Sequence, residues 1–256
     1  MTPATALPPL ADIWVYLTAT PLGGLTLMLA AYVVAHRVHL ACGAHPLANP
    51  VALAVALIET LLAVTGTPYA TYFEGAQFVH FLLGPATVAL AVALHEQAAL
   101  LRRLWWPLLV GLAAGALAAA LNAVMLAWLL GASPQTLASL APKSVTTPVA
   151  MGIAERLGGL PSLTAAMVVA TGIWGAATAR WLFERLGIDD PVGRGFALGA
   201  TAHGIGTARA FQVSPQMGAF AGLAMGLAAL FNALALPWVV SSWLTLLERV
   251  RLHWSA

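Results

Sequence analysis

Hydrophobic residues in this chain fall in blocks of about 20, long enough to cross a bilayer, rather than on one face of a 3.6-residue period. Polar or Pro/Gly-rich words separate the blocks. The first block, 13–35, carries Pro21, which is expected to bend it, and closes at His36-Arg37. It is too long for a cleaved signal and no Lys or Arg precedes it, so it is expected to stay in the mature protein. The second, 47–64, stops at Gly66-Thr67-Pro68. A third, 75–94, is interrupted by Gly84-Pro85, and 105–130 is an unbroken span behind Arg102-Arg103 with two interfacial tryptophans.

The second half is less regular. The block 136–157 contains Ala141-Pro-Lys-Ser-Val-Thr-Thr-Pro148, a polar word with two prolines that no continuous helix accommodates. A plain span over 162–183 is followed by a turn in which Asp190 is the expected N-cap and Pro191 the first helical residue. The next block, 192–211, is interrupted by His203-Gly-Ile-Gly-Thr207. The last, 217–247, is long enough to span with tilt, or to hold a span and an interfacial end after Pro237.

The expected fold is therefore an all-α polytopic membrane protein of about seven or eight transmembrane helices, some interrupted or re-entrant. Its organisation reads as a tail over 1–12, one transmembrane domain over 13–247 and a tail over 248–256. Arginines place the N-terminus outside, provided that one irregular segment re-enters, for which 136–157 is the best candidate. Leu83-Gly-Pro-Ala-Thr-Val88 and Leu140-Ala-Pro-Lys-Ser-Val145 form a faint internal repeat, each copy at a break; chance recurrence in a biased sequence is the competing reading. Glycines four apart, at 111/115, 195/199 and 218/222/226, are expected to let neighbouring backbones approach.

Composition narrows the function classes. Of 256 residues 61% are hydrophobic and 8% charged, which excludes a soluble globular fold. The basic residues are scattered, so the chain is not a nucleic-acid binder. Cys42 is the only cysteine, which excludes an internal disulfide and a cysteine-based zinc site, and His36, His39 and His45 share no helical face that would hold a metal. There is no Gly-x-Ser-x-Gly, His-Glu-x-x-His or phosphate-binding Gly-rich loop, and the chain reads as neither an enzyme nor a cofactor protein.

Chemistry concentrates in two words. Lys143, the only lysine, sits in the 141–148 break beside Ser144, Thr146 and Thr147. A cation at membrane depth is costly and faces protein, a water cavity or the interface; with these hydroxyls and a following helix N-terminus it suits a small anion, unless the word is a headgroup-level loop with a snorkelling lysine. The second word, His203-Gly-Ile-Gly-Thr-Ala-Arg209, supplies Gly204 and Gly206 for close backbone approach, His203 as a proton switch, Thr207, and Arg209 as a fork for a carboxylate; Arg209 alone could simply mark a helix end. Secondary candidates are Thr87 at the 84–85 break, Glu59 as a proton carrier, and Asn122 and Asn232, whose amides could merely join helices.

Three stretches together resemble the LrgB/CidB family of bacterial membrane proteins, also similar to the C-terminal half of plant plastidial glycolate/glycerate transporters. They are Leu82-Leu-Gly-Pro-Ala-Thr-Val-Ala-Leu90, Pro142-Lys-Ser-Val-Thr-Thr-Pro-Val-Ala-Met151, and Ala202-His-Gly-Ile-Gly-Thr-Ala-Arg-Ala210 with Gly218-Ala-Phe-Ala-Gly222 after it. The resemblance runs from about residue 49 to residue 240. It implies a multi-pass inner-membrane protein, expected to be a homo-oligomer in the lipid bilayer with a small LrgA/CidA-like membrane partner. Two activities are implied: transport of small monocarboxylates such as pyruvate, glycolate or glycerate, or antiholin- or holin-like modulation of murein hydrolases and lysis. A Lys/His/Arg set on interrupted helices favours the proton-coupled carrier of a small carboxylate substrate. A structural subunit whose small partner carries the activity is the third reading.

Overall fold

The computed structural model describes residues 20–43, 48–77, 79, 88–89 and 91–254, with side chains through residue 247. The described residues hold helices and no strand, so the expectation of an all-α membrane protein is borne out. Among the described residues four helices are long and apolar enough to cross a membrane by length and composition. The 84–85 break, Thr87 and the first copy of the internal repeat lie outside the described residues.

The chain divides into two compact units, Met1–Ala89 and Leu90–Ala256. In the first, α1 (Pro21–Ala41), α2 (Pro50–Thr65) and α3 (Tyr69–Ala76) pack together. Pro21 does not bend a helix. It opens α1 at the first helical position, where a proline costs no hydrogen bond, and the Thr20 hydroxyl caps the turn by accepting from the Gly23 amide at 3.1 Å. Asn49 caps α2 in the same way, accepting from the Val51 amide at 2.9 Å, and Gly66 ends it in the left-handed conformation at φ 65°. Small side chains set the spacing: Ala31 and Ala35 meet Ala54, and Gly24 lies so close to the Gly75–Ala76 backbone that an added Cβ would sit 2.5 Å from it.

The second unit contains α4 (Ala98–Leu129), α5 (Pro134–Leu140), α6 (Thr147–Arg156), α7 (Pro161–Arg185), α8 (Pro191–Val213) and α9 (Pro215–Trp254). α4 begins about two turns ahead of the expected span and takes Arg102 and Arg103 inside it. The polar word with two prolines separates α5 from α6, as its composition requires, and Asp190 caps α8 through its Oδ2, 2.7 Å from the Gly193 amide, with Pro191 at the first helical position.

The first half of α8 runs close beside α9 and in the same direction, because Gly195 and Gly199 turn bare backbone toward the carbonyls of Met217 and Ala221. Gly218 likewise lies under the Phe211 ring. The expectation for 111/115 is not met among the described residues: none of them outside the helix's own backbone comes within 4 Å of a Cβ placed at either position, nor at Gly226. The core of this unit joins Ala120 and Val124 of α4, Leu137 of α5, Ile153 of α6, and Leu236 and Val240 of α9. Large apolar side chains such as Leu130, Trp174, Trp181 and Trp238 face outward, as a lipid-solvated helix bundle allows.

Candidate functional site

The polar word begins where α5 ends. Backbone bonds from the Lys143 amide to the Leu140 carbonyl (3.2 Å) and from the Val145 amide to the Pro142 carbonyl (3.0 Å) wind it into consecutive tight turns. Pro142 and Val145 are fully buried, and Val145 packs with Ala150 of α6 and Val168 of α7. With those two positions anchored inward, Lys143 and Ser144 line the neighbouring cavity.

A clasp secures the start of the loop. The Thr164 hydroxyl donates to the Ser139 carbonyl at 2.9 Å, and the Ser139 hydroxyl accepts from the Leu160 amide at 2.8 Å. Both side chains are fully buried, and every one of these polar atoms has its partner. Gly159 makes room for them: a Cβ there would sit 2.8 Å from the Ser139 amide nitrogen.

The cavity has a volume of about 500 Å³. Besides Lys143 and Ser144 it is lined by Thr171, Trp174 and Gly175 of α7 and by Thr201 of α8. Its walls are mostly apolar, and among the described residues Lys143 has no carboxylate within ion-pair distance. Lys143 is thus a half-buried ammonium with no carboxylate partner among the described residues, in a cavity that Ser144, Thr171 and Thr201 also line.

The second word meets the same helix one turn away. His203 interrupts α8 with φ 41° and ψ −131°, and it is the one non-glycine residue with positive φ among the described residues. Its imidazole is buried against α7, where Nε2 donates to the Val168 carbonyl oxygen at 2.9 Å. This bond places the proton of a neutral ring on Nε2 and leaves Nδ1 as the acceptor. Gly172 makes the approach possible, because a Cβ there would lie 2.7 Å from His203 Cε1. The Thr207 hydroxyl donates to the His203 carbonyl at 2.8 Å, satisfying an acceptor at the break. The bend brings Gly206 onto the preceding half-helix, where a Cβ would sit 2.6 Å from the Leu198 carbonyl oxygen.

The structure thus brings Lys143, Ser144 and the His203 break to adjoining stretches of α7. Other candidates lie elsewhere. Thr146 and Thr147 open α6, where Thr146 is the N-cap residue but its hydroxyl makes no capping bond, and neither lines the Lys143 cavity. Gly204 is exposed, and a Cβ added there would meet only Met225 Sδ, at 4.0 Å. Arg209 lines a separate cavity of about 300 Å³ with Arg180, Glu184 and Arg194, so the two cations expected around one carboxylate occupy different chambers. Asn122 and Asn232 each donate to the carbonyl four residues earlier in their own helix, both at 2.7 Å, and Glu59 is exposed on α2.

Thr171 and Thr201 line the cavity without having stood out in the sequence. Thr201 stands two residues before His203, which is the one signal that could have found it. Thr171 lies in an otherwise plain span and carries no such signal.

Comparison with known proteins matches residues 28–242 to the LrgB-like family. The Bacillus subtilis protein YwbG, itself uncharacterized, is 33% identical over 193 residues, covering 75% of this chain and 86% of the relative. An uncharacterized Haemophilus influenzae protein is 31% identical over 191 residues, 75% of this chain and 83% of its own. The antiholin-like protein LrgB of Bacillus cereus is 26% identical over 220 residues, covering 86% of this chain and 96% of the relative. No solved structure matches. A multi-pass helical membrane protein matched over most of its length, the chain belongs to the LrgB-like family.

Proposed function

We propose that the chain is a carrier of small monocarboxylates of the pyruvate, glycolate or glycerate type in a bacterial inner membrane. The observation that carries this reading is the cavity in which Lys143, unpaired with any described carboxylate, faces Ser144, Thr171 and Thr201. A carboxylate would take the ammonium and one hydroxyl, and a second hydroxyl would meet a keto or hydroxy substituent. Beside it the break at His203 gives α8 a hinge, the arrangement by which discontinuous helices carry substrate sites in transporters. His203 would couple protons through Nδ1, since its Nε2 proton is committed to Val168.

The second reading, an antiholin-like modulator of murein hydrolase activity and lysis, rests on the name of the Bacillus cereus relatives and has the better support from the comparisons. In both readings a small LrgA/CidA-like membrane protein would be the partner. Reconstitution separates them. The carrier reading expects uptake of labelled pyruvate or glycolate by proteoliposomes that falls at least tenfold in Lys143→Ala. Absence of uptake with and without the small partner, together with altered autolysis of cells expressing the chain, would favour the antiholin-like role.

A further inference from the structure

We propose a second anion site, for a phosphate group, in the cavity lined by Arg180, Arg194 and Arg209. It lies between α7 and α8, separate from the Lys143 chamber, and has a volume of about 300 Å³. Three guanidinium groups line it against one carboxylate, Glu184. That carboxylate is already engaged with Arg180 Nε at 2.8 Å. Arg194 reaches Asp189, outside the cavity lining, at 2.8 Å and lies 5.7 Å from the centroid of the Phe183 ring. Arg209 donates to the Gln212 side-chain oxygen at 2.9 Å and, among the described residues, has no acidic partner.

Positive charge therefore exceeds negative charge in a chamber whose remaining walls are apolar: Ala176, Ala179, Leu198, Val213 and Met217, with the Phe183 ring. Guanidinium forks match tetrahedral phosphate oxygens by paired, charge-assisted hydrogen bonds, and an anion between them would relieve their mutual repulsion. Next to Arg180 on α7, Trp181 and Leu182 are exposed. Exposed apolar side chains next to a basic cavity between helices suit a phospholipid, whose headgroup enters while its acyl chains stay outside. Inorganic phosphate shares the headgroup chemistry without the chains, so the two sources can be told apart.

The test is thermal unfolding of the purified full chain in neutral detergent with added phosphatidylglycerol, phosphatidylcholine or inorganic phosphate. Phosphatidylglycerol is expected to raise the midpoint by roughly 5 °C or more over phosphatidylcholine at saturating lipid. That rise should fall by more than half in Arg209→Gln and in Arg180→Gln, and persist in Lys143→Gln. An equal rise with inorganic phosphate, lost in the same variants, assigns the site to a soluble phosphate. No rise with either, or a rise unchanged in Arg209→Gln and Arg180→Gln, overturns the site. Because Lys143→Gln keeps the phosphate response, failure of the carboxylate reading and failure of this one are separate results.

Discussion

His203 Nε2 lies 2.9 Å from the carbonyl oxygen of Val168, a hydrogen bond across 35 residues of sequence that pins the break in α8 to α7. Val168 is fully buried and packs in the cluster that also holds Val145, two residues beyond Lys143. One residue of α7 therefore ties together the two polar words that the sequence sets apart.

The conformation of His203 inverts an ordinary helix rule. Alanine is favoured over glycine inside a helix by about 1 kcal/mol. At φ 41° a Cβ is strained, at a cost of about 1–3 kcal/mol. Either substitution also removes the hydrogen bond from the imidazole to the Val168 carbonyl, worth about 0.5–1.5 kcal/mol. Both variants should be less stable than the parent, with His203→Ala below His203→Gly in thermal or denaturant unfolding. If alanine is the better tolerated, the break at His203 is wrong.

Gly172→Ala should destabilise by about 1–3 kcal/mol, because its methyl enters the space of the imidazole and either the ring or α7 must move. Gly111→Ala meets nothing within 4 Å and should leave the unfolding midpoint unchanged or slightly raised. Comparable losses at the two positions would contradict the packing described for α7 and α8.

The Ser139–Thr164 clasp should matter to binding as well as to stability. Ser139→Ala leaves the Leu160 amide without its acceptor, at a cost of about 1–3 kcal/mol. Because the Lys143 loop begins just after Ser139, the same variant should weaken carboxylate binding, and Thr164→Val should do so less. A stability loss with unchanged affinity would show that the clasp does not position the loop.

Thr201 is expected to set preference rather than affinity. Its hydroxyl proton goes to the Ala197 carbonyl at 2.7 Å, which leaves the oxygen free to accept from a substrate hydroxyl. Thr201→Val should lower the preference for glycolate over acetate about 2- to 10-fold, the worth of one hydrogen bond. Measured competition with both acids checks it, and an unchanged ratio removes Thr201 from the site.

Local chemistry made much of this fold legible. Asp190-Pro191 and the prolines around Lys143 act through backbone geometry within a few residues, so the cap of α8 and the gap between α5 and α6 follow from sequence alone. Reach across the bundle was harder to read. Spacing of four suggested close packing at both 195/199 and 111/115, yet among the described residues only the first pair has a close neighbour, because spacing marks a face without saying what covers it. Arg209 follows His203 by six residues, but the break redirects α8, and Arg209 lines a different cavity from Lys143. Thr171 was hidden because a hydroxyl in an apolar span ordinarily bonds its own helix, as Thr178 of the same helix does.

The most direct measurement is equilibrium binding of labelled pyruvate or glycolate to the purified chain in nanodiscs, wild type against Lys143→Gln and Arg209→Gln. Loss of one charge-assisted hydrogen-bonding partner predicts about 10- to 100-fold weaker binding for Lys143→Gln, with Arg209→Gln close to wild type. Lys143→Gln binding as tightly as wild type would contradict the account.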